Sequence, residues 1–346
     1  MLGILGGGQL GRMTALAAAK LGYRAHVFAP ESPCPAGEVA WATTVAEYDD
    51  AVALQRFSDA VDAVTVEFEN VPEAALRQLA QTRPTRPNAA ALAAAQDRLV
   101  EKAFLADVGF ETAPIHQVDS ADDIVAALTT LGRPVIVKTR RFGYDGKGQV
   151  RVESPAEAEA AWAALGKAPS IAEGLIDFAR EVSVIAARDV DGRVACYPAV
   201  ENIHENHILR TTLAPAPDMG ALAGEAERLT AAAIARLDLT GLLAIEMFVT
   251  RDGRLIANEM APRPHNSGHW TMDFAATSQF EQLARAVMGL PLGDVAVLRP
   301  AMMRNLLGDE ANTWPALLAD PGVRLHLYGK REARPGRKMG HWNKAL

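Results

Sequence analysis

A run of four apolar residues at 2–5 passes directly into Gly6-Gly7-Gly8-Gln9-Leu10-Gly11 and then into an Ala- and Leu-rich stretch over 12–21. Strand, glycine turn and helix in that order form half of a crossover unit, which is stable only when further strands pair beside the first. Apolar runs recur at 24–29, stopped by Pro30, and at 60–68, stopped by Asn70-Val71-Pro72, with helical patterns between and after them. This alternation predicts a parallel sheet covered by helices. Gly6, Gly8 and Gly11 also satisfy G-x-G-x-x-G, a setting in which backbone N–H groups at a helix N-terminus can meet a phosphate. Three readings stay open: a tight turn for helix packing, a phosphate site, or a dinucleotide site. The last wants an acid at the end of the second strand. That strand ends Phe28-Ala29-Pro30, with Glu31 only beyond the proline.

Residues 82–88 (TRPTRPN) carry two prolines and no periodicity, which places a domain boundary after residue 86. Hairpin texture follows. Runs at 134–139 and 149–153 are joined by a glycine loop; 181–188 and 193–200 flank Asp191-Gly192; 243–250 and 254–260 flank Asp252-Gly253. Asp-Gly between apolar runs is a strong hairpin signal. With a helical stretch at 219–237, this region reads as α+β with mostly antiparallel pairing.

Net charge is −7, from 35 Lys and Arg against 42 Asp and Glu, which argues against a dedicated nucleic-acid binder. The longest stretch without Asp, Glu, Lys or Arg is residues 1–11, too short to span a bilayer, and its glycines do not suit an export signal. Cys34 and Cys196 make no disulfide framework, so a cytoplasmic, reduced protein is expected.

Five constellations carry chemistry. Loop 140–148 holds Arg140, Arg141 and Lys147 with three glycines, and Lys138 precedes it; such a loop can close over a polyphosphate or be a solvated tip. If Asp252-Gly253 are the two central residues of a turn, Glu246 falls directly opposite Glu259. Like charges so placed destabilise a hairpin. A divalent cation held by oxygens, Mg²⁺ working with phosphates, or a shared proton resolves the conflict, and Asn258 adds an oxygen if the pleat is distorted. Arg263, His265, Asn266, Ser267 and His269 then crowd a proline-broken loop that suits a substrate wall; His265 and His269 lack a third ligand for zinc. The run 330–338, with five cations and one acid, is an anion site or a solvated tail, and Glu67 and Glu69 alternate onto one face, either toward a ligand or capping a helix.

GILGGGQLGRM, VEFENVP, VKTRRFGYDGKGQ, IEMFVTRDGRLIANEMAPRPHNSGHW and GKREARPGRKMGH together resemble the ATP-grasp superfamily. Within it they are similar to the 5-(carboxyamino)imidazole ribonucleotide synthetases, over nearly the whole chain. The resemblance implies an α/β and α+β molecule with an ATP-grasp fold: a Rossmann-like parallel-sheet domain at 1–86, a nucleotide-binding region at 87–290 and a small C-terminal segment at 291–346. It implies a cytoplasmic ligase, a homodimer, that uses ATP, Mg²⁺ and bicarbonate to carboxylate aminoimidazole ribonucleotide through carboxyphosphate. It engages neither nucleic acid nor membrane. Carried over residue by residue, Arg98, Lys138, Gly143, Tyr144, Asp145, Gly146, Lys147, Gly148 and Gln149 hold the ATP phosphates. Glu173, Gly174, Leu175 and Ile176 line the adenine, Glu181 takes the ribose hydroxyls, and His204 and Asn258 lie by the nucleotide. Glu246 and Glu259 hold Mg²⁺. Tyr144, Asp145, Lys147, Arg263, His265 and Asn266 surround the imidazole and the new carboxylate. Of these, Lys138, Asp145, Lys147, Arg263, His265 and Asn266 serve catalysis, with Asp145 and His265 the candidates for proton removal. Gln9, Leu10, Glu67, Lys330 and Arg337 hold the ribose phosphate. Two departures stand out: Phe142 where many relatives have glycine, and a chain that stops six residues after Gly340.

Overall fold

The apolar run at the N-terminus becomes strand Leu2–Leu5, buried at every position, as a strand with helices on both faces must be. In the computed structural model, which describes residues 1–143 and 146–346, it is the third of four parallel strands, in the order Ala42–Val45, Ala25–Ala29, Leu2–Leu5, Ala63–Val66. The edge strand Ala42–Val45 is half-buried and too weakly apolar to stand out in the sequence.

Residues 115–174 contain a four-stranded antiparallel sheet, ordered Ile115–Val118, Ser170–Gly174, Val135–Thr139, Gln149–Val152. Helices Ala121–Thr130 and Ala158–Ala164 cover it, burying Ile124, Leu128 and Trp162 against Val135 and Val137.

A ten-stranded sheet forms the centre. Its path runs Arg324–Leu327, Lys338–Ala345, Ala301–Leu307, Ile208–Ala214, Val200–Glu205, Phe178–Arg188, Gly241–Thr250, Leu255–Ala261, Glu111–Thr112. The C-terminal strands thus extend the nucleotide region's own sheet, through the pairing of Ala301–Leu307 with Ile208–Ala214. The expected strand at 193–200 is split. Pro198 donates no ladder bond; Val194–Cys196 completes the Asp191-Gly192 hairpin, and Val200–Glu205 returns to pair the far half of the same strand, Asn202 facing Glu181.

Helix Ala221–Arg236 buries Ala226, Leu229, Ala233 and Ile234 on one face of this sheet, against Val182, Val184 and Ile245. The other face carries Leu283 and Ala284 of helix Gln279–Val287, in one continuous core with Ile185, Leu242 and Ala244 that runs on to Leu2 and Ile4. Each buried Leu, Ile or Val among them contributes about 1.5–3 kcal/mol on burial, the alanines less. The N-terminal sheet and the central sheet are therefore joined by a shared core, and a cleft is left where their strand ends meet. Among the described residues no helix is long and apolar enough to cross a membrane.

Candidate active site

The cleft has a volume of about 860 Å³ and is walled by all three parts of the chain. Gln9, Leu10 and Glu67 come from the N-terminal sheet; Arg98, Gly143, Lys147, His204, Glu246, Glu259, Arg263, His265 and Asn266 from the middle; Lys330 and Arg337 from the C-terminal loop. Leu175 and Ile176 instead line a second cavity of about 430 Å³, whose lining shares no residue with the first among the described residues. Tyr144 and Asp145 lie outside the described residues.

The hairpin carries the two glutamates by a route the simple turn does not give. Its loop has three residues, closed by Thr250 N–H to Arg254 O at 3.0 Å with Gly253 at φ +80°, the left-handed position such a loop needs. This shifts the pairing by one, so Val249 faces Leu255 and Met247 faces Ala257. A bulge at Asn258 then shifts it back, and Glu246 faces Glu259. Two irregularities offset each other. The repulsion between the carboxylates, expected to need a metal or a shared proton, is already answered inside the chain: His265 Nε2 lies 2.8 Å from Glu246 Oε1 and Arg98 Nη1 3.1 Å from Glu259 Oε2. Burial favours the neutral form of Glu246, yet the hydrogen bond from His265, with the charges of His204 and Lys338, holds it well below the usual carboxylate range. Asn258 Oδ1, on the bulge, is buried with no hydrogen-bond partner among the described residues. An orphaned carbonyl oxygen on the residue before Glu259, together with the two facing carboxylates, is the all-oxygen donor chemistry that suits Mg²⁺. Across the same sheet Glu181 Oε2 stands 3.1 Å from His204 Nδ1, and Glu181, His204 and Glu246 bring donor atoms within 4.8 Å of one another. Burial works against the charged form of His204, but Glu181 raises its pKa overall.

Helix Arg98–Val108 supplies what the sequence left unread. Asp97 caps it by accepting from Leu99 N–H at 3.0 Å and also takes Arg140 at 2.9 and 2.6 Å, with Arg141 3.7 Å away. The loop's expected cation repulsion is thereby offset by Asp97. Arg98, Glu101 and Lys102, spaced i, i+3, i+4, share one helix face. Lys102 and Lys138 both meet Glu173, at 3.1 and 2.6 Å, so this glutamate on strand Ser170–Gly174 links two cations. Burial would raise its pKa; the lysines win and hold it at about 2. Glu101 accepts from Met260 N–H at 2.6 Å, but burial dominates and pushes its carboxyl up to about 8. Spacing was the available signal for this trio.

At the glycine turn the packing and capping readings are realised together. Both carboxylate oxygens of Glu67 are used at the start of helix Gln9–Lys20, accepting from Gly8 N–H and, at 3.2 Å, from Leu10 N–H. A Cβ on Gly6 would stand 2.6 Å from Glu67 Cβ, and one on Gly8 would stand 3.0 Å from Glu67 Cδ. The helix terminus that suits a phosphate is thus filled by the protein's own carboxylate, and the glycines make room for it. Burial raises the Glu67 pKa, partly countered by these N–H groups. Glu69 pairs with Arg263, while Lys330 Nζ donates to Lys338 O at 2.7 Å and Arg337 Nη1 to Glu332 O at 3.0 Å. His265 and His269 diverge: His269 Nδ1 lies 3.1 Å from Gln279 Nε2, away from Glu246. Gly146 and Gly148, at φ +79° and +72°, precede Gln149, which opens its strand. Phe142 is exposed at φ +65°, a conformation a glycine would hold without strain.

Three family models match in chain order: a ribonucleotide synthetase preATP-grasp domain over 1–96, an ATP-grasp domain over 103–280, and a phosphoribosylaminoimidazole carboxylase C-terminal domain over 301–345. The N5-carboxyaminoimidazole ribonucleotide synthase of Brucella melitensis is 51% identical, over 98% of this chain and 94% of its own. The solved N5-carboxyaminoimidazole ribonucleotide synthetase of Thermus thermophilus superposes with a TM-score of 0.93 at 46% identity, covering 100% of this chain and 94% of the other. That of Aspergillus clavatus, in complex with ADP and 5-aminoimidazole ribonucleotide, gives 0.92 at 30% identity, covering 100% and 93%. An ATP-grasp domain between those two flanking domains, and this identity over whole chains, leave one conclusion: the chain belongs to the N5-carboxyaminoimidazole ribonucleotide synthase family.

Proposed function

We propose that the cleft carries out the ATP- and bicarbonate-dependent carboxylation of 5-aminoimidazole ribonucleotide to its N5-carboxy derivative in purine biosynthesis, through carboxyphosphate, with release of ADP and phosphate. The observation that carries the residue assignment is the Glu246–Glu259 pair on one wall of a cleft whose other wall is the basic C-terminal loop, with the unpartnered oxygen of Asn258 on the residue before Glu259. Glu246 and Glu259 would hold Mg²⁺, which when bound supplies charge neutralisation at the phosphates.

Bicarbonate is an anion that must attack a polyanion, so Arg98, Lys138 and Lys147 offset the repulsion and steady the transferring phosphoryl group. Without nucleotide, Glu259 and Glu173 balance two of these cations, Arg98 and Lys138. The adenine lies toward Leu175 and Ile176, and its ribose toward Glu181 and His204. In the second step the amine of the ribonucleotide takes the carboxyl unit, which needs orientation and proton removal. Arg263 and Asn266 orient the carboxylate, and the proton acceptor is one of the two candidates Asp145 and His265. Lys330 and Arg337 anchor the ribonucleotide phosphate, and Glu67, its carboxylate fixed on the glycine turn, faces the ribose. The functional unit is a cytoplasmic homodimer, checked by sedimentation of the purified protein.

The test is ADP release with 5-aminoimidazole ribonucleotide or glycinamide ribonucleotide, each with bicarbonate or formate. Turnover should require the first ribonucleotide and bicarbonate, and Glu246→Gln or Glu259→Gln should abolish it while thermal unfolding stays cooperative. ADP release by either variant at the wild-type rate would remove the metal assignment.

A further inference from the structure

His265 is held from both sides. Its Nδ1 receives Ser267 Oγ at 2.7 Å and the Ser267 backbone N–H at 3.3 Å, and its Nε2 faces Glu246 Oε1 at 2.8 Å. A backbone N–H only donates, so Nδ1 must accept and carries no hydrogen; an imidazole with a bare Nδ1 has its one hydrogen on Nε2, which faces the Glu246 oxygen. The direction of every further bond follows. Ser267 spends its hydroxyl hydrogen on Nδ1 and therefore accepts from Ser183 Oγ at 2.8 Å; Ser183 accepts from Asn202 Nδ2 at 2.8 Å; Asn202 Oδ1 accepts from Thr212 Oγ1 at 3.0 Å. The chain crosses three adjacent strands, and Thr212, Ser183 and Ser267 are 0% exposed and Asn202 4%. Gln279, also 0% exposed, fixes the backbone of His265 by accepting from its N–H at 2.9 Å and donating to its carbonyl at 2.7 Å. A buried polar chain this fully satisfied permits one arrangement.

We propose that Ser267, Ser183 and Asn202 are positioning residues that fix His265 as the Nε2–H donor to Glu246, so that His265 steadies that carboxylate instead of taking the proton of the amine. This rests on the reading of Glu246 as a metal ligand. A hydrogen bond to the outer side of such a ligand sets its orientation, and losing it weakens metal binding by on the order of tenfold. Proton removal then falls to another group, Asp145 being the remaining candidate.

The full-length enzyme labelled with ¹⁵N-histidine, free of nucleotide and metal, gives the direct test, with the His265 signals assigned from their loss in His265→Gln. A protonated Nε2 and an unprotonated, hydrogen-bonded Nδ1 are expected, and Ser183→Ala, which does not touch the ring, should move Nδ1 toward the signal of an unbonded nitrogen. If Ser183→Ala does not fold, Ser267→Ala carries the same reading with a larger shift. A hydrogen on Nδ1, or an Nδ1 signal unmoved by these variants, overturns the chain. Mn²⁺ titration of the enzyme–ADP complex, followed by electron paramagnetic resonance, separates the two layers. Ser267→Ala should weaken Mn²⁺ roughly tenfold and Glu246→Gln more. Mn²⁺ binding lost in Glu246→Gln but unchanged in Ser267→Ala overturns the positioning role. Binding unchanged in both overturns Glu246 as a metal ligand and leaves the hydrogen-bond chain standing.

Discussion

Single carboxyl groups in this cleft differ sharply in what surrounds them, and that difference can be measured. Glu101 is buried with one backbone donor and is pushed up to about 8, whereas Glu173, between two lysines, is held at about 2. A free glutamate titrates near 4.3. The fold therefore favours neutral Glu101, and its contribution is fully present below about pH 4.3 and lost as pH rises toward 8. Glu173 has the opposite sign, its contribution present above about pH 4.3 and lost as pH falls toward 2. Glu101→Gln keeps an oxygen for Met260 N–H and removes the ionisation, so in nucleotide-free enzyme it should raise Tm at pH 8 and leave it nearly unchanged at about pH 4–5; a parallel shift at both would contradict the sign. Glu67 offers the second measurement. Gly8→Ala brings a methyl group against its carboxylate, so the ribonucleotide KM should rise about tenfold or more, with about 1–3 kcal/mol of stability lost as a buried acceptor loses its donors. Unchanged ribonucleotide KM would detach Glu67 from the substrate.

At the level of elements, sequence carried the strands better than it carried their irregularities. Hydrophobic runs and Asp-Gly turns located the strands flanking Asp252-Gly253, because burial and turn chemistry are local. The three-residue loop and the Asn258 bulge were not readable, since either alone would change the partner of Glu246 and only together do they restore it. The edge strand Ala42–Val45 and the break at Pro198 escaped for a related reason: their pairing is decided by neighbours distant in the chain. Deleting Asn258 should convert the bulge into a regular ladder in which Glu259 still falls opposite Glu246. The fold should survive, while the Mg²⁺ concentration for half-maximal ADP release should rise several-fold because one oxygen is gone. An unchanged Mg²⁺ requirement would show that Asn258 is no ligand.

Over the whole molecule, the cleft is assembled from segments no local pattern connects. Glu69 reaches Arg263, Asp97 reaches Arg140, and Lys102 reaches Glu173, each a partner that pulls a predicted site residue into place from far along the chain. Motifs therefore named most of the lining, but not the ion pairs that orient it. The same assembly separates two ends. Lys138 sits with Glu173 on the small antiparallel sheet, whereas Arg337 lies on the C-terminal loop beside strand Lys338–Ala345 and donates to Glu332 O. Lys138→Ala should accordingly raise the ATP KM and nearly spare that of the ribonucleotide, and Arg337→Ala should do the reverse, since each removes a charge from a different substrate's phosphate. Groups this independent act additively, so in the double variant the losses in RT ln(kcat/KM) should sum to within about 0.3–0.5 kcal/mol. A larger coupling would mean that the two anions share one cationic wall, and that the C-terminal loop helps to hold ATP.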